Sequence, residues 1–93
     1  MVTTVITIHN ESGLHSRPAA DFVMEAATFQ SDISIRNNSL MSDWVDAKSI
    51  LSILGLGVEK SHIIEIKAEG ADAAEAIQKL TALLEKNVSV KES

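Results

Sequence analysis

No cysteine occurs in the 93 residues, so disulfides, thiolate nucleophiles and thiolate metal sites are excluded. Aromatic residues are nearly absent too, with Phe22, Phe29 and Trp44 the whole set. The core must therefore be built from Ile, Leu, Val and Ala. Base stacking on an aromatic platform, usual in single-strand nucleic-acid binders, has little to work with. Positive charge is scarce: no basic cluster relieves the net charge of −5. That argues against binding phosphate backbones or anionic membranes, and a protein partner with a basic surface suits the chain better. No apolar run approaches the ~18 residues that would suggest a membrane span. "MVTTVITIHN" has no charged segment leading into a long apolar stretch, as a secretory signal would. The expected location is the cytoplasm. The tripeptides Asn10-Glu11-Ser12, Asn37-Asn38-Ser39 and Asn87-Val88-Ser89 then match the N-glycosylation pattern by coincidence.

What is there reads as one small domain over residues 1–93. "VTTVITI" (2–8) is rich in β-branched residues, with Val2, Thr4, Ile6 and Ile8 on one face of a strand. Ala19, Phe22, Val23 and Ala26 recur at helical spacing and predict a helix from about residue 16 to residue 28. "SDISIRN" (31–37) reads as a strand with Ile33 and Ile35 inward, "NNS" as a turn, and "SDWVDA" (42–47) as a further short strand. In "KSILSILGLG" (48–57), Ile50, Ile53, Leu54 and Gly57 mark a helical stripe that Leu51 and Leu56 miss; Ser49 suits the N-cap, and Gly55 or Gly57 the stop. "SHIIEIKAEG" (61–70) alternates, with Ile64, Ile66 and Ala68 on one face. "ADAAEAIQKLTALLEK" (71–86) is an amphipathic helix, with Asp72 and Lys86 placed to suit its dipole. The order βαββαβα predicts an α+β fold, a four-stranded antiparallel sheet with three helices on one face.

His15 stands where the first loop becomes a helix, in "SGLHSRPAA" (12–20). As N-cap it would precede a first turn of Ser16, Arg17 and Pro18, whose N–H groups lack intrahelical partners. With the helix dipole those groups favour an anion, and proline is tolerated there because its missing N–H is not needed. A residue before proline disfavours helical angles, so Arg17 is expected to start the helix imperfectly. An imidazole here is a neutral nucleophile near physiological pH. A phosphoryl group taken onto it would meet the free N–H groups, and Arg17 could pair with it in fork geometry. Gly13 would let the chain bend and expose the ring. The plainer alternative is that His15 is an ordinary surface residue. His9 and His62 lack such surroundings and read as structural or solvent-facing. The histidines are too scattered for a metal site, and no metal ion or cofactor is expected.

"GLHSRPAA", "KSILSILGLG" and "AEGADAAEAI", in that order over nearly the whole chain, resemble the HPr family, the histidine-containing phosphocarriers of the bacterial phosphoenolpyruvate-dependent phosphotransferase system. The resemblance implies an open-faced β-sandwich. It implies that His15 accepts a phosphoryl group from phospho-enzyme I and passes it to a histidine on an enzyme IIA domain. Arg17 would stabilise the phosphohistidine. Ser16, Ala20, Leu51 and Leu54 would belong to the docking surface, which explains why Leu51 lies off its helix's buried stripe. Such a protein is a carrier in a relay rather than an enzyme, and an exposed docking face suits a monomer.

Ser49 has two readings. As an N-cap it satisfies one free N–H. In the Gram-positive branch of the family the matching serine is phosphorylated by an HPr kinase/phosphorylase, and a phosphate here would put negative charge beside Leu51 and the His15 site. Two departures from sugar-system carriers stand out. "RNNSLMSDWVDA" is longer than usual, and Met24 and Ala27 stand where many carriers have lysines. The alternatives are a regulatory docking module of the same fold and a ferredoxin-like module holding a small anion. A stand-alone hydrolase fits least, since no oriented base accompanies the one nucleophile.

Overall fold

The computed structural model describes residues 1–89, with side chains as far as Glu85. The expected dipole partner Lys86 and the tripeptide at residues 87–89 lie outside the described side chains. The elements are β1 (Val2–Thr7), α1 (Ser16–Ala27), β2 (Asp32–Asn37), a 3-10 turn (Asn38–Leu40), β3 (Val45–Asp46), α2 (Ile50–Gly55), β4 (Ile63–Glu69) and α3 (Ala73–Ser89). The strands form one antiparallel sheet in the order β1-β4-β2-β3.

Register follows the two-residue period. Ile6 pairs with Ile64, Ile35 with Ile66 and Ile33 with Ala68, so one face of the sheet carries the apolar set. Phe22, Ile53, Ile77 and Leu80, from α1, α2 and α3, close over that face with Ile33, Ile35, Ile64 and Ile66. Asp72, just before α3, does more than suit the dipole. Its carboxylate accepts hydrogen bonds from the N–H of Gln30 (2.9 Å) and from the N–H (3.0 Å) and hydroxyl of Ser31. These bonds hold the carboxyl below its ordinary value, the Ser31 hydroxyl having the largest effect and the Gln30 N–H the next. The entry to β2 is thereby tied to the entry to α3.

Two elements differ from expectation. The strand expected over 42–47 shrinks to Val45–Asp46. Met41 takes a left-handed conformation (φ 56°), and Ser42 closes a turn on Asn37 through its N–H (3.0 Å) and hydroxyl (2.9 Å), so only two residues reach β2. Trp44 lies between Arg36 (4.6 Å) and Lys67 (4.2 Å), cations on the sheet's polar face. In α2, only Ile53 of the expected stripe is buried, while Ile50 and Leu54 are exposed. Leu56 is buried although the expected stripe missed it, because it keeps helical angles (φ −70°, ψ −20°) three residues after Ile53 and so shares that residue's face.

Candidate functional site

The loop leading to His15 is held by backbone. Gly13 donates to the carbonyl of Asn10 (2.9 Å), and Leu14 donates to that of Val58 (3.0 Å). Gly13 has φ +64°, and a Cβ there would lie 2.2 Å from the Val58 oxygen. Glycine is required at this position by conformation and by close approach together. The Leu14 side chain is fully buried, so His15 leaves a fixed anchor.

His15 is the N-cap of α1, with extended backbone (φ −128°, ψ 171°) and no side-chain capping bond. Its ring is therefore not spent on the helix. The break in helical geometry expected at Arg17 falls one residue earlier: Ser16 has φ +52°, a left-handed conformation that a residue with a Cβ adopts at a cost of roughly 1–2 kcal/mol. The Arg17 side chain is 86% exposed, and its Nε donates to Asp21 at 3.2 Å. An exposed pair of this kind is weak, which leaves the guanidinium ready to exchange partners. The first-turn N–H groups of Ser16 and Arg17 have no acceptor within the helix.

Three residues of this region were given no part in the site by the sequence. Glu59 Oε2 lies 3.3 Å from His15 Nε2, across 44 positions of chain. The N–H of Glu59 donates to His62 Nδ1 at 3.0 Å, and Asn37 Nδ2 approaches the same nitrogen at 3.1 Å. Two donors at one nitrogen make Nδ1 of His62 the acceptor and put its ring proton on Nε2. Asn37 is fully buried. Its Nδ2 also donates to the carbonyl of Leu56 (3.2 Å), and its Oδ1 accepts from the N–H of Leu40 (3.2 Å). His62 is thus structural, as its sequence surroundings suggested, yet it supports the segment that faces His15. Among the described residues no cluster of His, Asp and Glu could hold a metal ion.

A family model described as the phosphorylation site of the PTS HPr component matches residues 2–86. The chain belongs to the HPr family. The HPr phosphocarrier of Vibrio cholerae is 41% identical over 80 residues, covering 86% of this chain and 91% of that one. The crystal structure of HPr-C-His from Thermoanaerobacter tengcongensis superposes with a TM-score of 0.89 at 40% identity, covering 96% of this chain and 97% of that one. A multiphosphoryl transfer protein of Haemophilus influenzae is 44% identical over 79 residues, and the match spans only 16% of that protein's length. HPr proteins are phosphocarriers of the phosphotransferase system, and this chain is a carrier and not a catalytic enzyme.

The remaining residues singled out in the sequence fall on the two neighbouring helices of this HPr fold. α1 packs against α2, so the elements bearing Ser16 and Ala20 and those bearing Leu51 and Leu54 lie side by side. Leu51 is 79% exposed, Leu54 and Ser16 are exposed, and Ala20 is half-buried. Ser49 caps α2, its hydroxyl accepting from the N–H of Ser52 at 3.2 Å. Among the described residues no helix is long and apolar enough to cross a membrane.

Proposed function

We propose that this chain, acting as one cytoplasmic, monomeric domain over residues 1–93, takes a phosphoryl group onto His15 from phospho-enzyme I. It then hands the group to a histidine of an enzyme IIA domain, in sugar uptake or a related regulatory relay. The observation that carries this reading is the N-cap position of His15: its partly exposed ring makes no capping bond and stands beside the open N–H groups of a 12-residue helix. In the first transfer the enzyme I bond to phosphorus breaks, its electron pair stays with enzyme I, and a ring-nitrogen–phosphorus bond forms on His15. In the second the His15–phosphorus bond breaks, its electron pair returns to the His15 ring, and the new bond forms on the acceptor histidine. Arg17, released from Asp21, pairs with the phosphoryl oxygens. Ser16, Ala20, Leu51 and Leu54 form the surface that partners press against.

Ser49 is the regulatory residue of this proposal, open to an HPr kinase/phosphorylase. Its hydroxyl already works as an N-cap, and a phosphate there would keep an acceptor at the helix start while placing charge beside the docking leucines.

The test is intact-mass analysis after incubation with phosphoenolpyruvate and enzyme I. The expected result is a gain of one phosphoryl group that mild acid removes, and no gain in a folded His15→Ala variant. No gain in the unaltered protein, with enzyme I active on another carrier, overturns the reading.

A further inference from the structure

We propose that Glu59 is a positioning residue for His15: its carboxylate accepts the Nε2–H of the ring, and so selects the tautomer whose Nδ1 carries the free electron pair. The proposal rests on the phosphoryl-acceptor reading of His15 and adds which residue prepares the ring. The contact is Nε2 to Oε2, at 3.3 Å. A carboxylate has no proton to give, so the nitrogen facing it must be the one that bears hydrogen. The nucleophilic electron pair is then on the far side of the imidazole.

Glu59 is held for this work by its own backbone. Its N–H donates to His62 Nδ1 (3.0 Å), and its carbonyl accepts from the N–H of His62 (3.0 Å). The turn between them passes through Ser61 in a left-handed conformation (φ 78°), whose N–H is bonded to the carbonyl of Ile8. On the other side of His62 stands Asn37, fully buried and bonded in turn to Leu56 and Leu40. Val58, directly before Glu59, is the residue that accepts from Leu14, directly before His15. The two segments are therefore registered by a main-chain bond one residue away from the side-chain contact. That register distinguishes the pair from a chance meeting of two surface groups.

Attack by Nδ1 on phosphorus leaves positive charge on the ring while the proton stays on Nε2. The Glu59 carboxylate lies against that proton and meets the charge as it forms. Because the Glu59 side chain is 63% exposed, the effect is modest, about two- to fivefold in the rate of phosphoryl uptake.

The experiment compares the unaltered protein with Glu59→Ala, Glu59→Gln and Glu59→Lys. It combines 15N ring spectra of His15 in the unphosphorylated state with uptake rates from phospho-enzyme I. In the unaltered protein Nε2 is expected to bear the proton. Glu59→Ala relaxes the preference and slows uptake two- to fivefold. Glu59→Gln still presents an acceptor oxygen, so it keeps the tautomer and loses only part of the rate. Glu59→Lys presents a donor, moves the proton toward Nδ1 and slows uptake most. A His15 tautomer balance that is the same in all four proteins overturns the proposal. The spectra need no phosphorylation, so they decide Glu59's role even if the acceptor reading of His15 fails in the mass experiment.

Discussion

Leu14 and Val58 are joined by a main-chain hydrogen bond of 3.0 Å, and this bond sets where His15 emerges from the protein. Gly13 makes the approach possible, since a Cβ there would collide with the Val58 carbonyl. Gly13→Ala is expected to destabilise the fold by about 2 kcal/mol or more, from the left-handed conformation and the overlap together. Denaturant unfolding checks it: a lower midpoint at unchanged slope is the expected result. An unchanged midpoint would mean that the loop has room to move.

Among the described residues Arg17 is held only by Asp21 on its own helix, so its removal should leave the fold intact. Arg17→Ala is expected to slow phosphoryl uptake by about tenfold, the loss of one charge-assisted hydrogen bond to the phosphoryl oxygens. Single-turnover transfer from phospho-enzyme I measures this. A rate equal to the unaltered protein's would remove Arg17 from the site.

Leu51 and Ile53 stand two residues apart on α2 with opposite surroundings, one 79% exposed and the other fully buried. Leu51→Ala is expected to change stability by less than about 0.5 kcal/mol while weakening enzyme I binding in calorimetry. Ile53→Ala should cost about 2–5 kcal/mol through the cavity it leaves. Equal destabilisation by both would contradict the helix orientation, and unchanged binding by Leu51→Ala would take it off the docking surface.

Asp72 predicts how stability responds to acid. Its carboxyl is held below the ordinary value by the Ser31 hydroxyl and the Gln30 N–H, so the folded state releases the proton more readily than the unfolded one. Such a group stabilises the fold fully above its unfolded pKa, and that stability is lost as pH falls through the lower, folded value. Glu65, lowered chiefly by its hydrogen bond to Arg36, acts in the same direction. Thermal melts of Asp72→Asn should therefore show a shallower fall below about pH 4 than the unaltered protein. A parallel decline in both proteins would mean that the carboxylate contributes nothing specific.

The sequence by itself determined the alternation of Ile64, Ile66 and Ala68, the helical recurrence of Ala19, Phe22 and Ala26, and the cap positions of His15 and Ser49. These are local matters. A strand repeats every two residues, a helix every 3.6, and a cap needs only the turn that follows it. The shortness of β3, the exposure of Ile50 and Leu54, the burial of Leu56 and the three bonds of Asp72 were settled only when the chain packed. So was the meeting of His15 with Glu59, which no spacing announces because 44 residues separate them. Such contacts depend on how sheet and helices stack, and a single carboxylate or amide leaves no periodic trace in sequence. The residue offered as nucleophile was legible at once; the surroundings that orient it belong to the fold.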